Sequence, residues 1–188
     1  MENMKWVQSA VSKDKSRYNL CEVYRDKTEL VATDGNRLHM ITGMPETEPH
    51  YLSGADHSYP DWRQVMPKNG CSARVVLNSY ELVSWLKRFK KAVTLMKHDS
   101  KQPTVSLSPD GFINYSSPEG VELKISILFT SPEPLEKPIG LNPIYLFDAL
   151  SMVHEEAGNI EMEFNGELGP VKLTSGKRTA IVMPVRLV

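Results

Sequence analysis

One pattern recurs three times along this chain: an amphipathic helical stretch followed by short strands. Such a repeat implies an α+β fold built from like units. In the first unit Trp6, Val7, Ala10 and Val11 share one helical face, with Lys5, Gln8, Ser9 and Lys13 opposite. Residues 18–24 read as a strand, and residues 29–32 and 37–41 as a hairpin. Asp34, Gly35 and Asn36 between them are types that tolerate positive φ in a tight turn. The second unit has the clearest helix, with Leu82, Trp85, Leu86, Phe89, Val93 and Met96 at i, i+3, i+4 spacing and Asn78 or Ser79 as N-cap. Strands at 104–108 and 112–116 follow. Val121, Leu123, Ile125 and Ile127 then alternate with polar residues, as in a half-buried strand. The third unit opens on Asn142-Pro143, an N-cap with proline at the first helical position. Leu146, Phe147, Leu150 and Val153 form its apolar face, and Gly158 is the predicted stop. Strands at 160–164, 171–174 and 179–185 complete the pattern.

Between the first and second units the composition shifts. Residues 47–60 are rich in His, Pro, Ser, Gly and Tyr and read as a linker, with Pro67 and Gly70 marking a domain boundary. A length of 188 residues suits one large domain or two small ones. Apolar runs are as short as Ile127-Leu128-Phe129, so no transmembrane helix is expected. The first five residues carry no apolar stretch behind a basic start, so no secretory signal is expected. Cys21 and Cys71 lie far apart without CxxC spacing, which fits a reducing cytoplasm. With a formal charge of −1 there is no general attraction to nucleic acid, so any DNA binding has to come from local charge segregation.

Chemistry-bearing constellations are few. Asp34-Gly35 reads as turn chemistry rather than a catalytic aspartate. Ser79, Ser84, His98 and Asp99 offer no triad geometry. His50 and His57 flank a loop without further spaced ligands and read as surface residues. No enzyme, cofactor or metal is implied. Lys87, Arg88, Lys90 and Lys91 lie off the apolar stripe of the second helix. Composition alone makes them a solvated face. The third helix, with Asp148, His154, Glu155 and Glu156, carries no matching patch.

Four short stretches occur in a telling order: Arg17-Tyr18-Asn19-Leu20, then Ala32 through Leu38 (ATDGNRL), then Tyr59 through Pro67 (YPDWRQVMP), then Ile181 through Leu187 (IVMPVRL). Together they resemble the bacterial DNA polymerase III beta subunit, the replication sliding clamp. That resemblance implies clamp-type (processivity-fold) domains, each made of two helix-plus-strands halves. Residues 1–66 resemble the first half of the family's middle domain plus the linker, and residues 67–188 resemble its complete third domain. The family's first domain and the second half of its middle domain are without counterpart here.

In the family, the pocket between the middle and third domains takes a short peptide from polymerases and repair proteins. By resemblance Leu20, Thr33, Gly35, Asn36, Arg37 and Leu38 form one wall. Pro60, Arg63 and Val65 come from the linker, and Val182, Met183, Pro184, Val185, Arg186 and Leu187 from the tail. Gln64 stands where the family has a second linker arginine, and Val188 extends the usual end. Leu, Val, Met and Pro suit an apolar slot in which a few polar groups set orientation. The resemblance also implies that Lys87, Arg88, Lys90 and Lys91 contact phosphates of double-stranded DNA without sequence preference. The expected function is a clamp-like replication or repair platform that forms a homo-oligomer, with a ring that encircles DNA as one form of it. The alternative is a regulator that sequesters clamp-binding peptides without encircling DNA. The unpartnered half domain is expected to expose a sheet edge and the faces of Trp6 and Val11. A two-fold contact between two chains repairs this in one expectation; the linker folding back onto its own chain repairs it in the other.

Overall fold

The computed structural model describes residues 2–55, 58–67, 70–153 and 158–187. The first unit comprises α1 (Glu2–Gln8), a 3-10 turn (Lys15–Leu20), β1 (Tyr24–Asp26), β2 (Glu29–Thr33) and β3 (Arg37–Ile41). The linker holds β4 (His50–Tyr51) and a second 3-10 turn (Trp62–Val65). The second unit runs β5 (Ala73–Leu77), α2 (Ser79–Asp99), β6 (Val105–Leu107), β7 (Phe112–Ser116), β8 (Glu122–Ser126) and β9 (Thr130–Glu133). The third runs β10 (Ile139–Leu141), α3 (Pro143–Leu150), β11 (Ile160–Phe164), β12 (Val171–Ser175) and β13 (Arg178–Val182).

The strands form two antiparallel sheets, ordered β4-β1-β2-β3-β13-β12-β11-β5-β9 and β10-β6-β7-β8. The second and third units are interlocked by exchange. β5 leaves its own unit to pair with β11, and β10 leaves its own to pair with β6. Each unit therefore needs the other to complete its sheet. α2 and α3 close the space between them around a core that includes Leu82, Trp85, Phe89, Leu146, Leu150 and Phe164.

The first unit is completed within its own chain, which corrects the expected open edge. β3 pairs with β13 over five residues, from Arg37↔Val182 to Ile41↔Arg178, so the sheet runs on across the junction. On its other side β4, drawn from the linker, pairs with β1. It stands to β1-β2-β3 as β10 stands to β6-β7-β8. A two-residue strand does the work because Tyr51 is fully buried and its ring meets Tyr24 and Tyr59 edge-on, while Tyr59 stacks on Tyr24 at 4.5 Å. Trp6 is buried too: it stacks on His39 at 4.4 Å and its indole N–H donates to the Asp148 carbonyl at 2.9 Å.

Helix starts were legible from capping chemistry. Asn78 Oδ1 accepts from the Tyr80 and Glu81 amides, and Asn142 Oδ1 accepts from Ile144 and Tyr145. Helix ends were less so. α1 stops at Gln8, and Ala10 and Val11 lie in tightened turns beyond it. α3 stops at Leu150 rather than near Gly158: the Ser151 hydroxyl competes for the Phe147 carbonyl, and the next amides tighten to i−3 bonds, Met152 to Ala149 and Val153 to Leu150. His154, Glu155 and Glu156 lie outside the described residues.

Residues 18–24 are not one strand. Asp14 caps a 3-10 turn through the Ser16 amide at 3.0 Å, leaving Tyr18 exposed, and only residues 24–26 are extended. β4, β5, β9 and β10 had no strand assigned from sequence. β13 ends at Val182, three residues before the predicted limit.

Candidate functional site: an apolar cleft beside the β3–β13 junction

The long sheet is apolar on both faces around the junction. Leu30, Ala32, Ile41, Ala180 and Val182 face the main core with the helices. Val31, Leu38, Met40 and Ile181 face the opposite way and form a second cluster with Trp62, Tyr59, Met66 and Met183. This double duty explains why every residue of β3 is buried. The linker covers the second face only in part, and a cleft of about 220 Å³ remains.

Its floor is the cross-strand pair Leu38 and Ile181, each 1% exposed. The β2–β3 turn forms one wall. Thr33 Oγ1 accepts from the Gly35 amide at 3.1 Å and donates to the Arg37 carbonyl at 2.5 Å, while Asp34 Oδ1 accepts from the Asn36 and Arg37 amides. Gly35 sits at φ +90°, where a side chain is strained. Leu20, at the end of the first 3-10 turn, Met183 and the linker residues Pro60, Asp61, Trp62 and Val65 complete the lining.

The linker is pinned to the first unit through Asp26, with Glu29 a more distant partner of Arg63 at 3.8 Å. Asp26 Oδ2 accepts from the Trp62 indole at 2.9 Å and pairs with Arg63 Nη1 at 2.5 Å, and the Arg63 guanidinium lies over the Trp62 ring at 4.3 Å. Burial pushes the Asp26 pKa up, but the bonds from Arg63 and Trp62 outweigh it and leave it below the usual carboxylate value.

Of the residues expected at the pocket, Leu20, Thr33, Gly35, Arg37, Leu38, Pro60, Val65 and Met183 line the cleft. Asp61, Trp62 and Ile181 line it as well and were not foreseen. Trp62, the one tryptophan in a polar linker, was the available signal; Ile181 was hidden because strand alternation alone does not say that both faces are covered.

Seven expected residues do not line it. Val182 points to the main core at 0% exposure, as alternation after Ile181 requires. Asn36 is exposed and receives the Met183 amide on its carbonyl at 2.9 Å. Arg63 is spent on Asp26 and Trp62. From Pro184 the tail leaves the cleft: the Val185 amide donates to the Gly140 carbonyl at 2.8 Å, and Arg186 and Leu187 border a separate recess beside Ser106 and Asn114. A β-carbon at Gly140 would run into the Val185 carbonyl, so this close approach needs glycine.

Arg37 lines the cleft and also ties the units together. Its Nε meets Asp34 at 3.0 Å, Nη1 meets Asp148 of α3 at 2.5 Å, and Nη2 donates to the Ser9 carbonyl at 2.5 Å. The guanidinium also lies over the Tyr145 ring at 4.5 Å. On the helix side of the molecule, Lys87, Arg88, Lys90 and Lys91 are all exposed on α2, and among the described residues none forms an ion pair. His50 is exposed with Nδ1 at 2.6 Å from the Glu48 carbonyl, and His57 lies outside the described residues. Asp99 accepts from the Tyr115 hydroxyl. Among the described residues no three His, Cys, Asp or Glu side chains gather as a metal site, and no helix is long and apolar enough to cross a membrane.

No family model matches this sequence, and no curated protein matches it. Solved structures do. The DNA polymerase III beta subunit of Thermotoga maritima superposes with a TM-score of 0.73 at 22% identity, over 100% of this chain and 63% of that one. The beta subunit from the DNA polymerase of Streptococcus pyogenes gives 0.77 at 16% identity, over 99% and 63%. The DNA polymerase sliding clamp of Bacillus subtilis gives 0.74 at 20% identity, over 100% and 62%. The chain thus has the sliding-clamp fold over its whole length and spans less than two thirds of each of these clamps.

Proposed function

We propose that this chain, a sliding-clamp fold with an apolar cleft beside its inter-unit strand junction, is a recruitment platform in DNA replication or repair. On this reading residues 1–66 act as a half clamp domain with its linker and residues 67–188 as a complete clamp domain. The cleft takes a short peptide from a DNA polymerase or repair protein, and exposed basic residues of α2 meet the phosphates of double-stranded DNA. No covalent chemistry is involved. The carrying observation is the cleft itself: Leu38, Ile181, Trp62 and Met183 gather apolar surface on the sheet face opposite the helices, while the β2–β3 turn supplies polar groups at its rim. Such a slot suits two neighbouring apolar anchors on an extended peptide. Because the helices occupy the other face of the sheet, peptide and DNA do not compete for one surface.

Fluorescence polarisation with a labelled peptide ending in paired apolar anchors tests the cleft. Removing side-chain bulk in a Met183→Ala, Leu38→Ala double variant is expected to cost on the order of 2 kcal/mol or more of binding. Unchanged affinity in a folded variant refutes the assignment.

One observation favours a second reading, a regulator that sequesters such peptides without encircling DNA. The four exposed basic residues Lys87, Arg88, Lys90 and Lys91 of α2 sit in a chain whose net charge is −1. Trapping on closed circular DNA, lost when the circle is cut, supports the oligomeric ring; peptide binding without trapping supports the regulator.

A further inference from the structure

The two sides of the cleft differ in charge. On the linker side Asp61 lies between Pro60 and Trp62 and lines the cleft with them. It is exposed, and its carboxylate accepts from two neutral donors, the Arg63 amide at 3.3 Å and the Gln64 side-chain amide at 3.2 Å. Among the described residues no ion pair reaches it. The cations nearby are already matched. Arg63 pairs with Asp26 and, at 3.8 Å, with Glu29, and Lys27 acts on the same Asp26 carboxyl. Asp61 therefore leaves this wall with an uncompensated negative charge beside an apolar slot.

Across the β2–β3 turn the sign reverses. Gly35 faces the cleft, while Asp34 and Asn36 face a neighbouring recess, and Arg37 borders both. The charged groups around that recess are Lys13, Arg17, Arg37 and Lys97 against Asp14 and Asp34. Arg37 is balanced by Asp34 and by Asp148 of α3, and Asp14 lies within reach of the Arg17 charge. Lys13 and Lys97 are exposed, and among the described residues neither forms an ion pair. An extended peptide that fills the cleft and crosses the turn meets a negative wall at one end and a positive one at the other.

Given a peptide in the cleft, as proposed above, we infer that the partner it comes from is charge-ordered: paired apolar anchors, a lysine or arginine flanking them on the linker side, and an aspartate or glutamate flanking them on the turn side. The anchors supply the affinity, because exposed ion pairs contribute little on their own. The charges choose the orientation and the partner, because the opposite order sets like charges against both walls. Gln64 is what makes the linker wall selective. An arginine at this position would neutralise Asp61 and erase the preference for a basic flank, whereas the glutamine gives Asp61 a hydrogen bond and leaves its charge in place.

Fluorescence polarisation of the full chain with three labelled peptides is the test. All carry the same paired apolar anchors; the flanks are Lys before and Glu after, Glu before and Lys after, or neutral on both sides. At low salt one charge order is expected to bind about tenfold tighter than the other, with the neutral peptide between them. The difference is expected to shrink in high salt while neutral binding holds. Asp61→Asn, which keeps a side chain able to cap the second 3-10 turn, is expected to remove the share due to the basic flank. The double variant Lys13→Gln, Lys97→Gln is expected to remove the share due to the acidic flank. The neutral peptide is expected to bind wild type and variants alike. Equal affinity for the two charge orders overturns the charge-ordered partner and leaves the cleft as a peptide site. A preference untouched by the variants overturns it as well. Failure of all three peptides to bind removes the cleft reading itself, and this inference with it.

Discussion

His39 lies at the junction with its imidazole wholly buried. Nδ1 is 2.9 Å from the Trp6 carbonyl, which only accepts, so this nitrogen carries the proton. Nε2 has no hydrogen-bond partner among the described residues. Charging the ring would place a second N–H where nothing accepts it. Burial accordingly pushes the His39 pKa down from 6.5 to about 4, against the Trp6 hydrogen bond that raises it and with the Arg37 charge that lowers it further. Between these values the unfolded chain binds a proton that the folded chain does not, so stability falls as pH drops through that window, by roughly 3 kcal/mol. Urea midpoints followed from neutral pH down to about 4 are expected to fall in the wild type and to fall much less in His39→Gln. An equal fall in both assigns the effect to other groups. Sequence had no access to this role: β3 reads as a strand in any case, and nothing local says that a histidine in it stacks on Trp6.

At the scale of elements, α2 is the piece most fully legible in advance. Its buried apolar residues Leu82, Trp85, Phe89, Val93 and Met96 all belong to the predicted stripe, and Leu86 is half-buried beside them. Glu81 in the first turn and Lys97 and His98 in the last oppose the helix dipole. The stripe orients the helix, and that orientation leaves Lys87, Arg88, Lys90 and Lys91 in solvent. If they contact phosphates, reversing Lys87, Arg88 and Lys91 weakens binding about equally for all DNA sequences and flattens the salt dependence. An unaltered slope places the patch in plain solvent. The elements missed from sequence are short or carry their signal elsewhere. β10 is three residues and β4 two, below the length at which alternation is readable. β5 does alternate, with Ala73, Val75 and Leu77 buried, but it directly precedes a stronger helical pattern.

For the molecule as a whole, the shared sheet and core argue for one cooperative unit. The three tryptophans sample it well: Trp6 at the junction, Trp62 in the linker and Trp85 in α2. Tryptophan fluorescence and far-ultraviolet circular dichroism are expected to report one coincident denaturant transition. Separate midpoints show that the first unit opens on its own. Arg37 is the single side chain most responsible for that coupling, because it joins β3 to the end of α1 and to α3 with a guanidinium that is almost wholly buried. Lysine cannot replace it, since three directions are bonded at once through one planar group.

The repeating units, the helix starts at Asn78 and Asn142, the Asp34-Gly35-Asn36 turn and most of the cleft lining were set by the sequence alone, through capping, turn chemistry, periodicity and the order of four motifs. Those signals act over a few residues, or survive as a motif wherever the chain goes. Tertiary structure decided the rest. It exchanged β5 and β10 between units, closed the first unit with β4, and turned Val182 inward while Ile181 floors the cleft. It also carried Arg186 and Leu187 away to the other sheet. Each of these rests on which strand lies beside which. Strand pairing is made by backbone groups that every residue but proline carries alike, so a strand's local sequence does not name its neighbour; the neighbour is chosen when side chains far apart in the chain pack together, as Tyr51 does on Tyr24 and Tyr59.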